Sequence, residues 1–156
     1  MTEVLFYHLT ERGLEDAAPE ILEKCVARGW RATVRAGSQA RVAALDSRLW
    51  TFRDDGFLPH GTAADGNAAR QPVYLTAGEE TPNDPHLLML VDGADARPDE
   101  MARFARVALL FDGHDAAAVE GARAHWRAAV EAGLSAVYWA QEGGRWVRKR
   151  ESPAAG

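Results

Sequence analysis

The chain has 156 residues, 47% of them apolar and 26% charged, with a formal net charge of −5 at pH 7. That balance excludes a disordered polymer and argues against direct neutralisation of DNA phosphates as its main work, while leaving room for a local basic patch. Cys25 is the only cysteine, which excludes an internal disulfide and a cysteine-rich zinc site.

Residues 4–9, Val-Leu-Phe-Tyr-His-Leu, are apolar and aromatic and predict a buried first strand. A helix follows, with Asp16 as the expected N-cap and Pro19 in the first turn, where no N–H bond is lost. Ile21, Leu22, Cys25 and Val26 recur at helical spacing, and Gly29 supplies a left-handed stop. Residues 30–35 predict a second strand, parallel to the first by the right-handed crossover rule. Ser38 caps a second helix that runs to about Trp50, with Val42, Leu45 and Leu49 on one face. Residues 54–71 read as loop from their Gly, Asp, Ala and Asn content. Strands are expected at 73–76 and 87–91, separated by a loop holding Pro82 and Pro85. Arg97-Pro98-Asp99-Glu100 opens a short helix that takes in Met101 and Phe104, and 107–111 is a further buried strand. Asp115 caps a long helix through Ala132, closed by Gly133. Residues 136–141 and 145–148 predict a hairpin around Glu142-Gly143-Gly144. The expectation is one three-layer α/β/α domain over residues 1–150, with a mixed, mostly parallel sheet of Rossmann-like topology, and a frayed tail at 151–156.

No chemistry of an enzyme is legible. His8, His60, His86, His114 and His125 form no pair at helical metal-binding spacing, so neither a metal nor another cofactor is expected. There is no Gly-x-Ser-x-Gly elbow. Thr10-Glu11-Arg12-Gly13 carries acid where a phosphate loop would carry glycine, which argues against a nucleotide site. Asp54-Asp55 reads as a solvated turn. Residues 1–13 show no export signal, and no run approaches the roughly 20 apolar residues that span a bilayer, so the expected compartment is the cytoplasm, away from membranes.

Two constellations suggest binding. On the last long helix Val119, Ala122, Ala129 and Val130 form the expected buried stripe. Arg123 and Arg127 share a face one turn apart, with Trp126 at its border and Glu120 and Glu131 as neighbours. Spacing allows either a solvated face with ion pairs and a half-buried Trp, or an arginine clamp beside an aromatic wall, suited to an acidic peptide with an apolar end. The second constellation is Leu49-Trp50-Thr51-Phe52 followed by Phe57-Leu58-Pro59-His60-Gly61, either a cluster that pins a loop or an aromatic docking patch.

In order along the chain, these stretches resemble the chi subunit family of bacterial DNA polymerase III, colinearly over about residues 4–140. The carriers are Arg28-Gly29-Trp30-Arg31-Ala32-Thr33-Val34-Arg35-Ala36, then Leu45-Asp46-x-x-Leu49-Trp50 with Phe57-Leu58-Pro59-His60, then Phe104-Ala105-Arg106-Val107, and Arg123-x-x-Trp126-Arg127. The resemblance implies a non-catalytic subunit of the polymerase complex. It would link the psi subunit of the clamp loader, or a functional equivalent, to the acidic, apolar-ended C-terminal tail of single-stranded-DNA-binding protein. It implies a tail site at Arg123, Trp126 and Arg127, and a psi-facing surface at Trp50, Phe57, Leu58 and Pro59. Val119 stands where the family has another basic residue, and Ala128, Ala129 and Val130 where it has more Arg and Tyr. The expectation is therefore either a weaker tail affinity or a site supplemented by other residues, such as Arg145 or Arg148. The alternative on this architecture is a small-molecule or nucleotide-binding enzyme or regulator, with its ligand at the carboxyl ends of the parallel strands.

Overall fold

Among the described residues, seven strands and four α-helices follow in the order β1 (Glu3–Leu9), α1 (Leu14–Ala27), β2 (Ala32–Ala36), α2 (Gln39–Thr51), β3 (Val73–Thr76), β4 (Leu87–Val91), α3 (Pro98–Met101), β5 (Arg106–Asp112), α4 (Ala116–Glu131), β6 (Ser135–Glu142) and β7 (Arg145–Ser152). The computed structural model describes residues 2–53 and 58–153. The strands form one sheet in the order β3-β2-β4-β5-β1-β6-β7, parallel throughout except for β7, which runs antiparallel to β6. Strands β1 and β2 run parallel as expected, but β5 and β4 lie between them.

The sheet is covered on both faces, so its central strands read as unbroken apolar runs. Under α1 and α2, Leu22, Val42, Leu45 and Leu49 pack on Val34, Met89, Ala108 and Leu110. Under α3 and α4, Met101, Ala122 and Ala129 pack on Val4, Phe6, Leu90 and Leu109. Loop 78–85 is tied to β2 by Asn83, whose side chain donates to Ala32 O at 3.0 Å and accepts from Thr33 Oγ1 at 2.7 Å. Arg35, buried at the end of β2, binds the Glu100 carboxylate through both terminal nitrogens at 3.0 and 2.8 Å, which fixes α3 to the sheet.

Several boundaries differ from the sequence expectation. Helix α1 begins two residues before Asp16, with Gly13 at its N-cap, so Asp16 lies in the first turn and does not cap. Pro19 is therefore beyond the first turn, and it removes the N–H that would bond Glu15 O. Arg48 of α2 fills that vacancy: its Nε donates to Glu15 O at 2.9 Å and its Nη2 to Asp16 Oδ1 at 3.2 Å. The 54–71 segment contains two single 3₁₀ turns, Ala63–Asp65 and Ala68–Arg70; Asp54, Asp55 and Phe57 lie outside the described residues. Strand β7 runs through Ser152, which pairs with Ala136, so residues 151 and 152 belong to the sheet and not to a frayed tail. Ser38 and Asp115 cap α2 and α4 as expected, accepting from Arg41 N and from Ala117 N and Ala118 N. The β6–β7 turn uses Gly143 and Gly144, both at positive φ, the geometry that suits the twist of a tight hairpin.

Candidate functional site

Helix α4 crosses β5, β1 and β6 and buries the narrow alanine face of Ala122 and Ala129 against them. Small residues there let the helix sit close to the sheet, and its larger side chains fall at the margins. Val130 is one of these: it is 38% exposed, so the expected apolar stripe loses its last member to the surface. Trp126 is half-buried. Its ring lies 5.2 Å from Phe6 and 6.2 Å from Tyr138 of β6.

Arg123, Trp126 and Arg127 line one cleft of about 730 Å³ between α4 and the β6–β7 edge, with Val119, Val130, Tyr138, Lys149 and Arg150 among its other walls. Arg123 Nη1 donates to Glu120 Oε1 at 2.9 Å on the exposed helix surface. Among the described residues no carboxylate pairs with Arg127 or Arg150, and Glu131 is the acidic group in the wall. Tyr138 is held in place by its hydroxyl, 2.5 Å from His8 Nδ1. Burial raises its pKa above the ordinary phenol value, against the opposing field of Arg123, so it stays a neutral wall residue.

The further cations in the wall of this cleft are Lys149 and Arg150, and not Arg145 or Arg148. Arg148 lies over Trp139 at 5.3 Å, on the face where Trp146 packs on Tyr7. A β-bulge between Tyr138 and Trp139 changes the pairing: Trp139 opposes Arg148, whereas Tyr138 opposes Arg150, leaving Lys149 as the extra residue. Arg150 is thereby turned to the α4 face, with its guanidinium 5.3 Å from the Trp126 ring centroid. Arg145 and Arg148 are not in the wall of this cleft. Composition alone shows a basic run in this segment. Only the bulge decides which member faces which way.

The Trp50 surface is built by a small clamp. Leu45 and Leu49 are buried on the core side of α2. Asp46 Oδ1 stands 3.0 Å from His60 Nε2, and His60 Nδ1 lies 2.8 Å from Leu58 O. The buried His60 ring supports Trp50 edge-on at 5.1 Å, and Trp50 is 57% exposed. Pro59 is exposed beside it, but Leu58 is 4% exposed and its side chain packs in the core under the turn and not on the Trp50 surface, contrary to the expectation for it. Phe57 lies outside the described residues. The Trp50 clamp and the Trp126 cleft are on opposite faces of the sheet, one over the α1–α2 core and the other over the α4 core.

The signature residues Leu45, Asp46, Leu49, Trp50 and His60 thus form one contiguous structural unit. A family model described as "DNA polymerase III chi subunit, HolC" matches residues 1–137. The chain belongs to the DNA polymerase III chi subunit family. That family is an accessory replication subunit. The chain is 32% identical to the DNA polymerase III subunit chi of Pseudomonas aeruginosa over 113 residues, which is 70% of this chain and 77% of that protein. It is 26% identical to the probable DNA polymerase III subunit chi of Rickettsia prowazekii over 95 residues, 61% of this chain and 58% of that protein, less than two thirds of its length. The chi-family match ends at residue 137, so Tyr138, Lys149 and Arg150 of the cleft lie beyond it.

A second cleft, of about 940 Å³, opens at the carboxyl ends of β1, β4 and β5, where a nucleotide would lie in related architectures. Asp92, Asp112 and Asp115 line it. The β1–α1 loop amides that would cradle a phosphate are occupied: Thr10, Glu11 and Arg12 N–H all donate to Gln141 Oε1, at 2.8, 2.9 and 3.1 Å. Among the described residues no three His, Cys, Asp or Glu side chains converge as a metal site would require. No described helix is long and apolar enough to cross a membrane.

Proposed function

We propose that this chi-family subunit is a two-sided adaptor, binding the acidic C-terminal tail of single-stranded-DNA-binding protein in the Trp126 cleft. It binds psi, or a functional equivalent on the clamp loader, at the Trp50–Pro59 surface. The observation that carries this reading is the convergence of Arg123, Trp126 and Arg127 on one cleft whose Arg127 guanidinium has no carboxylate partner among the described residues. An acidic tail supplies that partner, and its apolar terminal side chain fits against the half-buried Trp126 ring. The position of Trp50 on the opposite face of the sheet lets both partners be held at once. The site of action is the replication fork in the cytoplasm, and contact with DNA is indirect.

The nucleotide-binding alternative draws no support from the second cleft. Its carboxylates repel phosphate, and its loop amides are already bonded to Gln141.

Titration of a labelled tail peptide at moderate salt tests the proposal. Arg127→Ala or Arg123→Ala is expected to weaken binding about fivefold or more, the smaller effect belonging to Arg123, which is shared with Glu120 on an exposed surface. Rising salt weakens the wild-type complex. Trp50→Ala is expected to reduce psi capture and leave tail affinity unchanged. Unaltered affinity in both arginine variants would remove the tail from this cleft.

A further inference from the structure

The C-terminal strand adds to the cleft a cation that the family match does not cover. Arg150 lies at the end of the structure's most basic stretch, Arg145–Arg150, on the edge strand of the sheet. Edge strands often carry such charge merely to discourage pairing with other chains. Two observations set Arg150 apart. The bulge at Lys149 turns it onto the α4 face, whereas its neighbour Arg148 is on the other face over Trp139. Its guanidinium lies 5.3 Å from the Trp126 ring centroid, and among the described residues it has no carboxylate partner. Lys149, by contrast, is paired with Glu142, and Arg123 with Glu120.

A guanidinium held over an indole by its charge uses no N–H donor in a hydrogen bond there, so its donors stay available. That arrangement presents a fork for a planar carboxylate at the margin of an apolar wall. A peptide that ends in an apolar residue carries its terminal carboxylate on the same Cα as its apolar side chain. Placing that side chain against Trp126 therefore brings the terminal carboxylate within reach of the cation nearest Trp126. Upstream acidic residues, one or more residues further along, fall toward the Arg123–Arg127 face.

We infer that Arg150 of β7 is the specificity-determining residue that receives the free terminal carboxylate of the bound tail, the role of selecting a chain end over an internal acidic segment. This rests on the tail-binding reading above. It also accounts for how a chi-family chain with Val119 in place of a further helix cation completes its site: the charge comes from the hairpin.

The test is a double cycle on the full chain, using a tail peptide labelled at its N-terminus and carrying either a free or an amidated C-terminus. For the unaltered protein, amidation is expected to weaken binding about tenfold, as is Arg150→Gln with the free peptide. With Arg150→Gln, amidation changes affinity less than about twofold, because the partner of the carboxylate is already gone. Arg148→Gln, the same charge change on the other face, leaves affinity unaltered, and thermal melts check that each variant is folded. Unchanged affinity in Arg150→Gln alongside a loss in Arg127→Ala overturns this inference and leaves the tail reading standing. A full amidation penalty persisting in Arg150→Gln, or an equal loss in Arg148→Gln, also overturns it, since Arg150 would then act only through general charge or through the packing of Trp126. No binding by the unaltered protein overturns both.

Discussion

Arg48 shows how a single side chain can answer a local defect far away in sequence. Pro19 lies inside α1 and cannot donate to Glu15 O, and its ring crowds that turn. Arg48 Nε donates to the same carbonyl at 2.9 Å and its Nη2 reaches Asp16 at 3.2 Å, so the second helix bonds the carbonyl that the proline cannot. Arg48→Ala is expected to cost about 1 kcal/mol by urea unfolding, the usual net value of such bonds near a surface. In a Pro19→Ala background the residue 19 N–H can bond Glu15 O again, and the cost of Arg48→Ala should fall to less than half. Equal costs in the two backgrounds would mean that Arg48 acts through Asp16 alone. In sequence Pro19 pointed to a helix start, because proline is tolerated in the first turn. What the sequence could not show was a guanidinium from the next helix standing in for the missing N–H. The same limit applies at Leu58: in the motif it looks like part of an aromatic patch, whereas the fold buries it.

The β1–α1 loop and the β6–β7 hairpin hold each other. Gln141 Oε1 accepts three consecutive loop amides, and the Glu11 carboxylate accepts Gly143 N and Gly144 N at 2.8 and 2.9 Å. The sequence told that this loop lacks phosphate-binding glycines, but not that its amides are spoken for. That needed the pairing of β1 with β6, between residues about 130 apart in the chain. Gln141→Ala is expected to lower stability by about 1–3 kcal/mol, since partly buried donors lose their acceptor. Hydrogen exchange at Glu11 and Arg12 should quicken more than in the core of β4. Gln141→Glu retains the acceptor oxygen and should recover much of the protection. Equal loss of protection in both variants would show that packing of the Gln141 stem, and not its carbonyl, holds the loop. Element existence was largely legible, because 3.6-residue spacing, caps and unbroken apolar strands are local signals. The bulge that turns Arg150 was not, because a one-residue change of pairing leaves no mark in hydrophobic alternation among charged residues.

At the scale of the whole molecule, strand order decides what is near what, and strand order is the least local property of the fold. Both proposed partner surfaces could be suspected from motifs, yet their placement on opposite faces follows only from the crossovers that send α2 and α4 to different sides of the sheet. The β2–β4 half is further fastened by carboxylates at its carboxyl edge. The Arg35 hydrogen bonds hold the Glu100 carboxyl below its ordinary pKa of 4.5, against the opposing effect of burial. For Glu80 burial acts to raise the value, but hydrogen bonds from Thr76 and Tyr74 and the charge of Arg35 outweigh it, and the net shift is also downward. A carboxyl whose pKa is lower folded than unfolded binds protons more readily when unfolded. Its contribution is therefore fully present above the ordinary value and lost as pH falls through the folded one. Unfolding free energy, followed by urea melts, is expected to be insensitive to these two groups above about pH 6 and to drop progressively below about pH 4.5. Glu100→Gln removes one of the titrating groups, so its acid slope should be shallower. The same variant should lose about 3 kcal/mol at neutral pH, because Arg35, with only 4% of its side chain exposed, loses the carboxylate that pairs directly with its terminal nitrogens. An unchanged slope in Glu100→Gln would place the acid sensitivity on Glu80 or on carboxylates outside this edge.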